Sequence, residues 1–199
     1  LTNATINATN AQYGTALEIV QPSSGTPEIT IVLNGTNTIR GKDAGYSYGI
    51  NSSACPLRIS GNGTLTVTGG DTSIGASTGI ACFGLTVEQG ATVNATGGAS
   101  SSLHSYGVSS SAEVTVAGTL NATNGDGKQS FGLIVNRGLI VEEGGKLEAR
   151  GPMTYRSSSY GICFNGQDMP MTVKGTLVAI GFAPFGNKNA IYQNKVIIK

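Results

Sequence analysis

Short strands in which apolar and polar residues alternate, each closed by glycine, recur along the chain. In Gly63–Gly70, Leu65 and Val67 point to one side of an extended strand and the threonines point to the other. Apolar residues do not recur at the helical i, i+3, i+4, i+7 spacing over several turns, so mostly β-structure is predicted. Four later segments repeat the strand: Gly90–Gly98, Gly118–Gly125, Gly145–Gly151 and Gly175–Gly181.

Three families of strands share one period of about 27 to 28 residues. The recurring strand steps by 26 to 30 residues, counted on Ile39, Leu65, Val93, Leu120, Leu147 and Leu177. A family of the Leu-Thr-Val type steps by 25 to 32 residues, counted on Ile31, Ile59, Val87, Val116, Val141, Val173 and Ile198. A family centred on glycine steps by 25 to 30 residues, counted on Gly49, Gly79, Gly107, Gly132 and Gly161.

A fixed period in this range is typical of a solenoid, and three strands per period describe a coil with three sides. We therefore predict an all-β fold, a right-handed parallel β-helix of about six coils over residues 28–199. Residues 1–27 match the repeat poorly and are predicted to form an N-terminal cap and a partial first coil, with a strand in Ala16–Val20. A propeller needs about 40 residues per blade, and a β-sandwich does not explain why strands resemble one another at this period.

Composition narrows the classes of function. Hydrophobic residues make up 39% of the chain, enough for a core, while the net charge of +1 is spread without a basic patch for nucleic acid. No apolar run approaches the roughly 18 residues of a transmembrane helix. Cys55, Cys82 and Cys163 form no metal or redox motif, so we expect buried free thiols, with a Cys55–Cys82 bridge as the alternative.

The outward side chains of the recurring strand are the candidate ligand-binding residues. In successive copies they form a column of Thr66, Asn94, Asn121 and Glu148, and the last of these copies also carries Lys146 and Arg150. Threonine and asparagine suit an exposed parallel strand, which gives the column a purely structural explanation. The functional interpretation is a flat polar surface for a repetitive ligand such as a polysaccharide.

Other chemistry-bearing residues are scattered. Tyr48, Tyr106, Phe131 and Tyr160 precede the glycines of the third family, and strand parity predicts that they stack inside the coil or at a corner. His104 is the only histidine and is expected to be a polar loop residue, because nothing marks the orienting acid and oxyanion hole of a triad.

The acidic residues predict no cofactor, although two of them are candidates for metal binding. Asp71 and Asp126 fall at the same turn two coils apart, with Ala99 between them. At about 10 Å they could share a calcium ion only with further ligands. No close carboxylate pair of the kind needed for glycoside hydrolysis is evident.

The phrase GTLTVTGG, together with the YGI and LTV strands, resembles bacterial surface β-helix proteins that contain carbohydrate-binding domains. One member of that group binds polygalacturonate and is similar in fold to pectate lyases without having their activity. The resemblance covers most of Thr26–Lys199 and implies an extracellular or cell-surface, non-catalytic polysaccharide binder in which calcium can assist. The chain lacks the cluster of aspartates with a nearby arginine that the lyases carry.

We therefore expect a non-catalytic β-helix module that binds polysaccharide or serves as an adhesin or stalk segment, with no nucleic-acid partner and no membrane span. The first alternative is a polysaccharide lyase or glycoside hydrolase. The second is an ice-binding surface, suggested by the threonine columns. It ranks below the others because the coil with Lys146, Glu148 and Arg150 interrupts the flat array that such a surface needs.

Overall fold

The computed structural model describes residues 1–9, 13–23, 25–151, 158–166, 169–182 and 190–192, which form three parallel β-sheets. The first sheet contains β1 (Thr5–Asn7), β4 (Thr36–Arg40), β7 (Thr64–Thr68), β10 (Thr92–Thr96), β13 (Thr119–Thr123), β16 (Lys146–Arg150) and β19 (Thr176–Ile180). The second contains β2 (Leu17–Glu18), β5 (Ser47–Ser52), β8 (Ser77–Cys82), β11 (His104–Ser110), β14 (Gln129–Val135), β17 (Ser158–Phe164) and β20 (Ile191–Tyr192). The third contains β3 (Ile29–Leu33), β6 (Leu57–Gly61), β9 (Leu85–Val87), β12 (Glu113–Val116), β15 (Gly138–Val141) and β18 (Met171–Val173).

The order of the strands confirms the predicted fold. Within the described residues the chain visits the first, second and third sheets in turn six times and then adds β19 and β20. Each strand pairs in parallel with its counterpart one coil later. The molecule is a right-handed parallel β-helix with three strands per coil.

The N-terminal segment takes part in the sheets. In residues 1–27, β1 pairs with β4 and β2 pairs with β5, so this segment supplies two sides of the first coil. The predicted strand in Ala16–Val20 contains β2, whereas β1 was not predicted. The predicted strand at Val196–Ile198 lies outside the described residues.

The core is built from columns of apolar side chains stacked from coil to coil. Leu65, Val93, Leu120 and Leu147 lie in register in the first sheet, and each is 0% exposed. Their outward threonine neighbours are half-buried. The predicted inward and outward sides of this strand are therefore correct.

The prediction that Ile39 belongs to the Leu65 column is wrong by one inward position. Ile39 pairs with Val67, and Asn37 pairs with Leu65. Asn37 is 0% exposed; its side-chain amide donates to the Asn34 carbonyl at 3.2 Å, and its Oδ1 accepts from the Ala4 amide at 2.9 Å. An amide that bonds the backbone in this way replaces an apolar side chain in the first turns of the solenoid without leaving buried polar groups unpaired.

Glycine is required near the start of β8 and β11 in the second sheet, close to the corner with the first sheet. A Cβ atom on Gly79 would lie 2.6 Å from the carbonyl oxygen of Gly107, and one on Gly107 would lie 2.6 Å from that of Gly132. These neighbours are backbone atoms of the next coil, which cannot move aside without disturbing the sheet. The recurrence of glycine in the third strand family thus follows from the close approach of stacked coils.

A ladder of buried serines explains the glycine pairs that close the recurring strand. Ser77 Oγ donates to the Gly70 carbonyl and accepts from the Gly98 amide, both at 2.7 Å. Ser105 Oγ donates to the Gly98 carbonyl at 2.8 Å and accepts from the Gly125 amide at 2.7 Å. Each serine therefore joins the corner of one coil to that of the next, inside the wall of the solenoid.

The serine ladder is interrupted at Ser130. Its Oγ is buried and has no hydrogen-bond partner among the described residues. The residue after Gly151 is Pro152, which has no amide hydrogen to donate. The Gly125 carbonyl, which by analogy would accept from Ser130, accepts instead from the side chain of Asn124 at 3.1 Å.

Three of the four predicted aromatic residues stack, but the prediction of an internal stack is wrong. Tyr48 stands outside the stack, because Thr78 occupies the equivalent position in the coil between Tyr48 and Tyr106. The rings of Tyr106, Phe131 and Tyr160 lie face to face with centroids 5.5 and 5.4 Å apart. They pack with Cys163 in a cluster separate from the main core, on the outer side of the second sheet. Strand parity fails at the glycine that follows each aromatic: the serine before the aromatic and the apolar residue after the glycine are both buried, so the aromatic between them lies on the outer side.

All three cysteines are buried free thiols, as the sequence predicts, and the alternative Cys55–Cys82 bridge is not formed. Burial raises the pKa of Cys82 to about 12 and that of Cys163 to about 11. Both thiols are therefore protonated at neutral pH and pack as small apolar side chains.

Candidate functional site

The outward side of the first sheet, here called the polar face, contains every predicted ligand-binding residue. Thr66, Asn94, Asn121 and Glu148 lie in one column because β7, β10, β13 and β16 are paired in register. Lys146 and Arg150 flank Glu148 on β16 and are exposed. The structure thus brings the six predicted residues onto one surface.

The two asparagines of this column bind each other. Asn121 Nδ2 donates to Asn94 Oδ1 at 2.8 Å, one coil apart. The amides are half-buried and held in one orientation, with the Asn94 amide nitrogen and the Asn121 oxygen at the two ends of the pair. This arrangement presents a donor and an acceptor at spacings fixed by the sheet.

The charged residues lie toward one end of the polar face. Arg150 Nε donates to Glu148 Oε1, and this hydrogen bond, together with the charges of Arg150 and Lys146, lowers the pKa of Glu148. Glu148 is therefore ionised at neutral pH. With Lys146 and Arg150 each carrying a positive charge, β16 has an excess of one positive charge.

Four consecutive strands beside β16 form an almost uncharged array. Their outward positions on β4, β7, β10 and β13 contain threonine and asparagine with a single arginine, Arg40, at one corner. The threonines are Thr36, Thr38, Thr64, Thr66, Thr68, Thr92, Thr96, Thr119 and Thr123. The charged coil therefore limits this array at one side and does not divide these four strands.

A second surface feature, here called the corner groove, follows the turns between the first and second sheets. Three adjoining depressions form it, with volumes of about 260, 440 and 430 Å³. The first two share Asp43, and the last two share Asp71, Thr72 and Ser101. The groove therefore crosses successive coils along the long axis of the solenoid.

Asp71 and Asp126 line the corner groove together with Asp43, which sequence reasoning missed. Asp43 Oδ1 accepts from the Asp71 amide at 2.9 Å, and Asp71 Oδ1 accepts from the Ala99 amide at 2.8 Å. Asp126 Oδ1 accepts from the Gly127 amide at 2.9 Å. Asp43 could have been found from the sequence, since it precedes Asp71 by 28 residues, one period of the repeat.

The structure places Asp71 and Asp126 two coils apart, on either side of Ala99, as their spacing predicts. Within the described part of the chain, no group of three or more His, Cys, Asp or Glu side chains is arranged to hold a metal ion. Each of the two carboxylates accepts its own backbone hydrogen bond, Asp71 from the Ala99 amide and Asp126 from the Gly127 amide.

The stacked aromatics border a further depression of about 340 Å³ on the second sheet. His104 lies at its edge, with its ring centroid 5.9 Å from that of Tyr106 and 6.2 Å from that of Phe131. His104 is the first residue of β11, so its prediction as a loop residue is wrong. Its described neighbours in this depression are aromatic, amide and apolar side chains, without an acid to orient the imidazole.

Comparison of the chain with family models, curated proteins and solved structures found no match. The described residues contain no helix with the length and apolar character needed to cross a membrane.

Proposed function

We propose that this β-helix is a non-catalytic polysaccharide-binding module of a secreted or cell-surface protein, with the glycan lying across the polar face. The observation that carries the proposal is the register of the outward columns from β7 to β16. Adjacent strands in a sheet are about 4.8 Å apart, so the same types of polar group recur at a constant spacing. A polymer of repeating sugar units can meet such a surface with several units at once.

The strength of binding is expected to come from the number of contacts. Single hydrogen bonds to the half-buried threonine and asparagine side chains contribute about 1 kcal/mol or less. When several sugar units bind side by side, the later contacts form within one complex and the affinity rises steeply with chain length. The excess positive charge of β16 favours an acidic polysaccharide at that end of the face.

Replacing Asn121 and Arg150 together by alanine is expected to weaken binding of an acidic hexasaccharide at least about tenfold. The variant loses one neutral and one charged hydrogen bond, and 1.4 kcal/mol corresponds to a factor of about ten. Affinities would be measured by calorimetry with oligogalacturonates and neutral oligosaccharides of increasing length. The double variant Thr115→Ala/Arg137→Ala is the control, because both residues lie away from the polar face. Thr115 is on β12 of the third sheet, and Arg137 lies between β14 of the second sheet and β15 of the third.

Two results would contradict the proposal. Unchanged binding in the Asn121→Ala/Arg150→Ala variant would show that the glycan does not bind on the polar face. Shortening of the oligosaccharides during incubation, followed by chromatography of the products, would instead favour a lyase or hydrolase.

An ice-binding surface is the second candidate, favoured by one observation. The threonine and asparagine array spans four adjacent strands, β4 to β13, before the charged strand β16 begins. Thr66→Lys, at the centre of this array, is expected to abolish any gap between the melting and freezing points of the solution, and Thr86→Lys on the third sheet is expected to leave it unchanged. Osmometry on crystal-seeded samples measures the gap; its absence in the unmodified protein would eliminate this candidate.

A further inference from the structure

We propose that the corner groove contains a binding subsite for an uncharged sugar residue, centred on Ala99 and bounded by Asp71 and Asp126. This site, here called the Ala99 subsite, is separate from the polar face and does not depend on the function proposed for it. Its location follows from an irregularity in an otherwise regular column of aspartates.

The column of aspartates is interrupted at Ala99. Asp43 and Asp71 occupy equivalent positions in successive coils, and each accepts a hydrogen bond from the backbone of the next coil. Ala99 follows at the third position, and Asp126 takes the fourth. The methyl group of Ala99 leaves space where a carboxylate would otherwise project. A depression of about 430 Å³ occupies this place, within the size range of small-molecule sites.

The two carboxylates at the ends of the subsite are held in position by hydrogen bonds from the backbone. Asp71 Oδ1 accepts from the Ala99 amide and Asp126 Oδ1 accepts from the Gly127 amide. Two steps of the coil separate them, a distance of about 10 Å. A hydroxyl group that donates to an ionised carboxylate makes a bond about twice as strong as one between neutral groups. A ring with hydroxyl groups at opposite ends can therefore reach both carboxylates.

The other polar atoms of the subsite indicate which ligand fits. Thr72 Oγ1 and Ser100 Oγ both donate to the Gly75 carbonyl at 2.7 Å, and Ser100 Oγ also accepts from the Leu103 amide at 3.1 Å, so neither hydroxyl has a hydrogen left to donate to a ligand. Acceptors therefore dominate this lining, and Lys128 supplies one positive charge against two carboxylates. An anionic ligand would be repelled, whereas a neutral sugar, rich in hydroxyl donors, matches the surface.

An exposed apolar ridge runs along the same turns. Tyr46, Ile74 and Leu103 are 43%, 66% and 37% exposed and belong to three successive coils. Tyr46 and Ile74 lie at adjoining turns: a Cβ atom on Gly75 would lie 2.3 Å from the Tyr46 ring, and one on Gly45 would lie 3.1 Å from Ile74 Cδ1. Leu103 is joined to the subsite through its carbonyl, which accepts from the Lys128 amide at 2.7 Å. Exposed apolar side chains rimmed by polar groups mark a binding surface, and the C–H faces of sugar rings suit such a ridge.

The decisive variant is Ala99→Asp, which restores the regular column. The new carboxylate is placed as those of Asp43 and Asp71 are, so the free energy of unfolding is expected to stay the same or rise. Because it fills the subsite and adds a third negative charge, binding is expected to fall at least tenfold. Thr92→Asp is the control, since it makes the same change of charge at the far end of β10, on the polar face.

Binding would be followed by the amide resonance of Ala99 in a protein–nitrogen correlation spectrum during titration with cellohexaose, mannohexaose and galactohexaose. We expect at least one of these neutral hexasaccharides to shift this resonance in the unmodified protein, in Thr92→Asp and in Asn121→Ala/Arg150→Ala, and we expect hexagalacturonate to shift it less. The proposal is overturned if none of the three shifts it, if Ala99→Asp responds equally, or if the acidic hexamer binds more tightly here. A shift that survives the double variant on the polar face separates this site from the one proposed above.

Discussion

Leu120→Ala is expected to lower the free energy of unfolding by about 2–5 kcal/mol, the range for truncating a buried leucine. Leu120 is 0% exposed and pairs with Val93 in the preceding coil and Leu147 in the following one. Its side chain fills the interior column between two coils that are fixed by their own backbone hydrogen bonds. The coils cannot close around the cavity, so the expected loss is large for a single substitution.

Thr119→Ala is the matched control, one residue away on the same strand. Thr119 is half-buried and points outward, so its substitution is expected to cost less than about 1 kcal/mol. Urea unfolding followed by far-UV circular dichroism measures both values. Equal losses in the two variants would show that the inward and outward sides of β13 have been assigned incorrectly.

Gly107→Ala is expected to cost about 3 kcal/mol, at the upper end of losses from overpacking. The added Cβ atom would lie 2.6 Å from both the Gly132 carbonyl oxygen and the Thr123 amide nitrogen. Both are backbone atoms of the next coil, so relief requires the two coils to separate at this corner. Here the cost comes from displaced hydrogen-bonded backbone, in contrast to the cavity left by Leu120→Ala.

Gly84→Ala tests the same chemical change where space is available. Its nearest neighbours would be the Glu113 carbonyl oxygen at 3.4 Å and Ala112 Cβ at 3.6 Å, ordinary contact distances. Alanine also restricts the unfolded chain, so this variant is expected to be neutral or more stable by up to about 1 kcal/mol. If thermal unfolding ranks Gly84→Ala as the more damaging of the two, then close coil stacking is not the reason for the recurrent glycine.

The coil and its interior can be predicted from the sequence because repeating one unit along the solenoid axis generates both. Once Leu65, Val93 and Leu120 recur at one period, parallel pairing and stacking in register follow from strand geometry. The prediction fails where a residue breaks the rule of alternation. Asn37 replaces an apolar residue inside the first sheet by bonding the backbone, and the break in alternation at the third-family glycines leaves Tyr106 and Phe131 on the outer side.

The polar face could be predicted for the same reason as the core, since its columns consist of the outward residues of the same alternating strands. The corner groove could not, because its depth depends on how turns of unequal composition stack. Asp71 and Asp126 are visible in the sequence as equivalent positions. The depression beside Ala99 arises from how the turns pack against one another. The alternation of apolar and polar residues within a strand carries no information about it.

Ser130 Oγ, which has no hydrogen-bond partner in the described part of the chain, affects where the molecule opens first. A solenoid is a one-dimensional stack in which each layer is held only by the layers above and below it. The serine bonds join the layers up to Ser105 and Gly125. At the next corner Ser130 Oγ has no partner among the described residues, and one hydrogen bond of 3.3 Å from Asn124 Nδ2 to Ser159 Oγ joins the two layers in place of a serine with two bonds. An unmade bond at a buried polar atom costs about 1–3 kcal/mol. We therefore expect partial opening to begin at the corner that contains Ser130. The layers that carry Lys146, Glu148 and Arg150 then exchange their amide hydrogens as a unit, before the layers that carry Asn94 and Asp71.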